Sequence, residues 1–347
     1  MKIMHTADVH LSTVHPRRLE ALGKVIQLGL DENIDLLLIA GDLFDDDRQA
    51  ELLRSSVRGL FSNLPFQVLA IPGNHDQRAF SDESFYGTEF RGLTAKPCTV
   101  VDFDGWRLVA VPYGEVSFVS ISEDLRRAAD PDKKNILVLH CSWSLPYYTN
   151  EDYGGEDLRY LPVTEATLTG LGYDYILAGH FHANYRQRIL PCGAVFVYPG
   201  SPVPVTSREQ GRRAVNIIDS KGCRPLPLDS WYYQTLEYVL KVTNTEAVLD
   251  QLARELAPHP DEFCTLNVRV KGYTQEKETL LQARLEQLLA GRNNTCLEPL
   301  FRGASEIFAD PLYQRIRQLL EEGKEKNTEL IDIMLLDAFS QLLAEDL

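Results

Sequence analysis

The sequence predicts an α/β protein: a layered sandwich over residues 1–230, a small αβ unit over 231–302 and a helical segment over 303–347. Three observations point there. Short apolar runs ending in Asp, Gly or Pro alternate with amphipathic stretches as far as Ser230. Pro225, Pro227 and Asp229 then punctuate the chain, and strand and helix patterns resume on a smaller scale from Trp231. A βαβ beginning followed by a β-rich part is the pattern of sheets covered by helices.

Lys2–Thr6, Asp35–Ala40 and Phe66–Ile71 read as buried strands. Between the first two, Arg17–Asp31 places Leu19, Leu22, Val25 and Ile26 on one helical face, and Glu51–Leu60 is a second, shorter helix. Further strands are expected at Thr99–Phe103, Arg107–Val111, Ile136–His140, Tyr173–Ala178, Ala194–Tyr198 and Arg213–Asp219. The smaller unit offers a strand at Trp231–Val242, a helix at Thr245–Leu256 and a strand at Cys264–Val270, where Leu266, Val268 and Val270 alternate with polar neighbours. A helix at Gln275–Leu289 and a short strand at Cys296–Leu300 complete it. The tail has two helices, Pro311–Glu322 and Glu329–Ala344, split by Gly323. The last spreads Leu330, Ile333, Met334, Phe339 and Leu342 over more than one face, which leaves one for a partner helix or a second subunit.

Composition bounds the function. With 44% hydrophobic and 24% charged residues the 347-residue chain has ample material for a core. The 35 Lys+Arg against 50 Asp+Glu leave −15, which argues against holding nucleic acid by overall field. That acidity is spread, −7 before Trp231 and −8 from it onward. No apolar run approaches the ~18–20 residues of a membrane helix, and Met1–His5 is not followed by the apolar core of a signal peptide. Six cysteines without a C-x-x-C pair read as reduced thiols. The expectation is a cytoplasmic protein with no membrane contact, in which the Asn293-Asn294-Thr295 sequon is fortuitous.

Five short motifs each fall where an expected strand ends: Asp8-Val9-His10, Gly41-Asp42-Leu43-Phe44-Asp45, Gly73-Asn74-His75-Asp76, the single His140, and Gly179-His180-Phe181-His182. Each alone is modest, since a lone strand-end histidine is usually a hydrogen-bonded structural group. Their strength is the ordered set, because ligands of layered α/β proteins gather at the carboxyl ends of strands. Imidazoles and carboxylates suit Mn, Fe or Zn, and a shared carboxylate holds two cations close. D-x-H and H-x-H are expected to project both groups to one side of an extended segment. Asn74 adds an oxygen donor without charge. His5, on the first strand, is expected in the core or behind the site. Arg17, Arg48, Arg78, Arg186, Arg208, Arg212 and Arg213, read as loop residues near the motifs, are candidates for a cationic rim that meets phosphates.

The five motifs, from Asp8 to His182, resemble those of the calcineurin-like metallophosphoesterases. The opening M-K-I-M-H-T-A-D-V-H-L and the run Y-P-G-S-P-V-P-V-T-S-R-E-Q-G-R-R from Tyr198 to Arg213 are similar to the SbcD branch, the nuclease subunit of a double-strand-break repair complex. The resemblance implies a four-layer sandwich with a small αβ capping domain and C-terminal helices. It implies two divalent cations, Mn²⁺ first with Fe²⁺ or Zn²⁺ as alternatives. Asp8, His10, Asp42 and His182 would hold one, and Asp42 would bridge to a second completed by Asn74, His140 and His180. His75 would stand beside the scissile phosphate as the catalytic group. DNA as substrate, homodimers and an SbcC-like coiled-coil ATPase partner are implied in the same way. The pattern departs at Val9, Ser12 and Asp45, where such chains often carry Trp, Gly and His, and none of these is a ligand position. The alternative reading is a stand-alone hydrolase of small phosphomonoesters or cyclic nucleotides, sharing the metal site without the partner.

Overall fold

A computed structural model describes residues 1–80, 84–114, 117–144, 160–322 and 328–343. The chain divides into two compact units, Met1–Tyr232 and Tyr233–Leu347. The first runs β1 (Ile3–Thr6), α1 (Pro16–Asp31), β2 (Leu36–Ala40), α2 (Asp47–Leu60), β3 (Gln67–Ile71), β4 (Phe90–Gly92), β5 (Thr99–Phe103) and β6 (Trp106–Ala110). It continues through α3 (Phe118–Ala128), β7 (Lys134–His140), α4 (Glu165–Leu168), β8 (Tyr175–Gly179), β9 (Arg186–Ile189), β10 (Val195–Tyr198), β11 (Ala214–Asp219) and β12 (Gly222–Pro227).

Two six-stranded sheets, ordered β12-β11-β1-β2-β3-β4 and β5-β6-β7-β8-β10-β9, stack face to face. Their shared interior holds Ile3, Leu36, Leu38, Ile71, Leu108, Ile136, Val138, Leu177 and Val197. The outer face of the first sheet packs Met4, Leu37 and Ile39 against Leu22, Val25, Ile26 and Val57 of α1 and α2. On the second, Leu137, Leu139 and Ile176 meet Phe118, Ile121 and Leu125 of α3. This is the four-layer phosphoesterase sandwich. Both faces of each sheet are covered, so the central strands read as unbroken apolar runs; Leu36–Ala40 is buried at every position. Each large side chain so buried contributes about 1.5–3 kcal/mol.

Apart from helices α3, α4 and Ser305–Ala309, which no expected element covers, the differences fall mainly at sheet edges and element ends. Gly222–Pro227 is a strand, not a break: it pairs antiparallel with β11, and Pro225 and Pro227 are tolerated because β12 is the outermost strand. Arg186–Ile189 forms edge strand β9, whose four residues are all exposed and so carry no alternation. Helix α2 begins four residues early because the Asp46 carboxylate accepts from Gln49 N at 2.7 Å and caps it. All six cysteines are free thiols.

The second unit contains β13 (Tyr232–Leu240), α5 (Thr245–Leu256), β14 (Cys264–Thr274), α6 (Glu278–Leu288), β15 (Thr295–Gly303), α7 (Ser305–Ala309), α8 (Pro311–Glu322) and α9 (Thr328–Leu343). Its three-stranded sheet runs β13-β14-β15, with β14 and β15 parallel from Leu266↔Thr295 to Thr274↔Gly303. Both strands outrun their expected ends, and the extension of β14 to Thr274 delays α6 by three residues. Val242, Tyr273, Ile307, Tyr313 and Phe339 form a core that anchors the tail helices. Leu330, Ile333, Met334 and Leu342 of α9 remain exposed. Gly323 and Ala344, the expected helix break and end, lie outside the described residues.

Candidate metal centre

The five motifs converge at the carboxyl ends of β1, β2, β3, β7 and β8. The segments after β1 and β2 continue the ladder past the strands: Asp8 N donates to Gly41 O (3.1 Å), His10 N to Asp42 O (3.0 Å) and Leu11 N to Leu43 O (2.9 Å). The expected extended projection does not hold. Asp8 (φ 54°), His10 (49°), Asp42 (51°) and His180 (92°) all adopt left-handed backbone, four of the seven non-glycine residues that do so among those described. Each such residue costs about 1–3 kcal/mol, and such strain persists where the surrounding structure over-determines it. Here the turns, not strand alternation, swing the side chains inward. Two glycines make room. A Cβ at Gly41 would lie 2.2 Å from His140 Nδ1, and one at Gly73 would lie 2.1 Å from Asp42 Oδ1.

Three groups of side chains could each hold a cation: Asp8, His10 and His182; Asp8, Asp42 and His140; and His10, Asp42 and His75. His10 Nε2 and His182 Nε2 stand 3.1 Å apart. His140 Nε2 lies 2.9 Å from Asn74 Oδ1 and 3.2 Å from Asp42 Oδ2. Asp42 Oδ1 accepts from His75 N (2.9 Å), whereas its buried Oδ2 has no hydrogen-bond partner and faces His140 Nε2 and, at 3.8 Å, His10 Nε2. Asp42 thus belongs to two of the three groups, as Asp8 and His10 also do. Asp8 accepts from His180 N through both oxygens, at 2.8 and 3.0 Å. The His180 ring lies edge-on to His140 with centroids 5.3 Å apart.

The imidazoles are oriented from behind. His140 Nδ1 donates to Ala40 O (2.9 Å), leaving Nε2 for the centre. Behind His10 Nδ1 stands Asp45 Oδ1 at 3.6 Å, and behind His182 Nδ1 stands Glu209 Oε1 at 3.8 Å. His75 Nδ1 donates to Asp45 O (2.9 Å), and its ring meets His10 edge-on at 4.8 Å.

Electrostatics point the same way. Burial opposes charge on His140, yet the adjoining Asp42 carboxylate, with Asp8, pushes its pKa up to about 10. Asp42 is correspondingly held far below the usual carboxylate range by His140, His10 and His75 despite burial. Burial raises Asp8 to about 6 and Asp76 to about 7. His10 and His180 are driven down by burial and by neighbouring imidazoles. Buried acceptors this close require positive charge among them, a proton on His140 or a metal cation. A donor set of carboxylates, imidazoles and one amide oxygen fits divalent Mn, Fe or Zn.

Several residues that shape the centre had no role assigned to them from sequence. Arg18, 5% exposed, donates to His10 O (2.7 Å) and Asp45 Oδ1 (2.9 Å). Asp76 accepts from Gly73 N (2.7 Å) and Phe44 N (3.2 Å), tying the third motif to the second. Glu209 has a signal only in retrospect, as the acidic residue within the Tyr198–Arg213 run. Of the expected arginine rim, Arg48, Arg78, Arg186, Arg208 and Arg212 are exposed, Arg48 within helix α2 rather than a loop. Arg186 stands on edge strand β9, not a loop, and Arg212 pairs with Asp229. Arg17, also exposed, covers the Trp231 ring at 3.6 Å, whereas Arg213 is buried against Glu209 and so takes no part in a rim.

A stacked pair of helix-covered sheets with a carboxylate–imidazole centre able to hold cations at its strand ends defines a metal-dependent hydrolase. The model of the calcineurin-like phosphoesterases matches residues 1–184, and the chain belongs to that family. The DNA double-strand break repair protein Mre11 of Methanopyrus kandleri is 30% identical over 240 residues, covering 60% of this chain and 50% of that protein. The chain thus spans about half the length of this curated relative. Among solved structures, TT1561 of Thermus thermophilus is 14% identical over 65% of this chain and 98% of its own, with a TM-score of 0.43. A dimetal phosphatase from Danio rerio is 10% identical over 62% and 91%, with a TM-score of 0.43. Among the described residues no helix is long and apolar enough to cross a membrane.

Proposed function

We propose that this chain is a Mn²⁺-dependent DNA nuclease subunit of SbcD type that works with an SbcC-like coiled-coil ATPase in break repair. The observation that carries this reading is the 30% identity to a double-strand break repair protein over 60% of the chain. In this reading Asp8, His10 and His182 hold one cation and Asn74, His140 and His180 the other, with Asp42 shared. The cations, when bound, supply Lewis-acid charge neutralisation and a water acidic enough to act at neutral pH. His75, held by Asp45 O through Nδ1, directs Nε2 at the phosphate and stabilises or protonates the leaving 3′ oxygen; such an acid contributes ~10²–10⁴-fold. Arg78, Arg186, Arg208 and Arg212 meet flanking phosphates. Residues 231–302 act as the capping domain and 303–347 bind the ATPase through the exposed face of α9. The protein works as a homodimer in the cytoplasm. Because its net charge is −15, it holds DNA weakly alone and takes most of its grip from the partner.

Hydrolysis of a bis-aryl phosphodiester, a mononucleotide, and single- and double-stranded DNA in Mn²⁺ tests the reading. Cleavage of DNA and of the diester is expected; turnover of the mononucleotide alone refutes it. Binding to a coiled-coil ATPase, with and without the residues after Asp310, tests the partner.

A further inference from the structure

Behind one side of the centre lies a buried ion pair. Arg213 (2% exposed) is the bulkiest fully buried side chain among those described, and Glu209 is 4% exposed. Taking two such charges out of water costs several kcal/mol that their attraction repays only in good geometry. Their closest approach is 3.3 Å, which is not the short, bidentate contact of a strong pair.

What the two residues share is His182. Arg213 NH1 donates to His182 O at 3.1 Å, and Ser201 N and Oγ donate to the same carbonyl at 3.2 and 3.1 Å. Glu209 Oε1 faces His182 Nδ1 at 3.8 Å, longer than a hydrogen bond, and that buried nitrogen has no hydrogen-bond partner. Glu209 is itself fixed: it accepts from Val205 N (3.0 Å), Thr206 N (3.0 Å) and Thr206 Oγ1 (3.2 Å), and at 3.2 Å it shares with His182 O the single proton of Ser201 Oγ. The opposite ring nitrogen of His182 points at His10 Nε2, into the centre. His140 is supported separately, by the carbonyl of Ala40 on β2.

We propose that Glu209 and Arg213 are positioning residues for His182. Glu209 sets the ring's tautomer and direction through Nδ1, while Arg213 locks the His182 carbonyl and the Glu209 carboxylate together. The pair therefore governs the affinity of the cation held by His182, His10 and Asp8 and leaves the His140 side untouched. This rests on the ligand assignment of the proposed function. The buried pair is kept in spite of its desolvation cost because carboxylates behind metal-bound imidazoles orient them, and their loss lowers metal affinity ~10–100-fold.

The test is Mn²⁺ titration calorimetry on the full chain, with the visible absorption of the Co²⁺-loaded protein as a second readout. Three variants are compared: Glu209→Gln, Glu209→Gln/Arg213→Met and His182→Ala. The double variant leaves no unpaired buried charge, so it separates positioning from folding. Expected is a ~10–100-fold weakening of one of two binding steps in both Glu209 variants, the other step unchanged, with an altered Co²⁺ spectrum. If His182→Ala loses one step while both Glu209 variants keep both, the positioning role is overturned and the ligand assignment stands. Equal weakening of both steps in the double variant overturns it too. If His182→Ala leaves both steps unchanged, the ligand assignment falls and the proposal with it.

Discussion

Asp42→Asn tests the proposed bridge. The substitution keeps shape and leaves Oδ1 accepting from His75 N at 2.9 Å, so no cavity opens. An amide nitrogen replaces Oδ2, 3.2 Å from His140 Nε2, where it donates to the ring once His140 loses the carboxylate that kept it protonated. The buried Asp42–His140 ion pair becomes a neutral contact, and the cost of burying two charges goes with it, an exchange that is often close to neutral. The metal-free protein is therefore expected within about 1 kcal/mol of the parent, or about 2–4 °C for a unit of this size. With metal the outcome differs, because an amide nitrogen cannot ligate a cation. In the parent, a cation at 100 times its dissociation constant stabilises by about 2.7 kcal/mol. Two such cations give about 5 kcal/mol, an upward Tm shift of about 10–20 °C. Scanning calorimetry with chelator and with excess Mn²⁺ should show that shift in the parent and its near-complete loss in Asp42→Asn. A variant that keeps the full shift refutes the bridging role, and one already unfolded without metal refutes the stability reasoning.

His75→Ala should retain the Mn²⁺-induced Tm shift while diester turnover falls ~10²–10⁴-fold; loss of the shift would instead make His75 a ligand, as the His10–Asp42–His75 grouping allows. His5 is wholly buried with both ring nitrogens unpartnered, and burial lowers its pKa to about 3. The folded state thus binds fewer protons than the unfolded state between pH 3 and 6.5. Its contribution is full above pH 6.5 and lost as pH falls towards 3, about 2 kcal/mol by pH 5. Denaturant melts of His5→Leu should lack that part of the acid slope. Gly41→Ala, whose Cβ would strike His140 Nδ1 on a backbone at φ 94°, should lose cation binding measured by calorimetry without loss of secondary structure by circular dichroism.

The sandwich core was legible because each central strand is covered on both faces and so writes an unbroken apolar run, as in Leu36–Ala40. The edges were not. β9 is exposed throughout and β12 carries two prolines, so neither has the pattern that burial imposes. Helix α3 went unmarked although Phe118, Ile121 and Leu125 share its buried face, since its period covers only 11 residues.

At the centre the sequence by itself determined which residue types meet and that they meet at strand ends: Asp8, His10, Asp42, Asn74, His140, His180 and His182 each follow or close an apolar run. Tertiary structure alone decided how they face one another. The left-handed turns at Asp8, His10, Asp42 and His180 replace the alternation expected of an extended chain. The groups behind the imidazoles, Ala40 O, Asp45 and Glu209, are recruited from 27 to 100 residues away. No local pattern records such pairings, because a carboxylate placed behind a histidine is selected by distance in space and leaves no period in the chain.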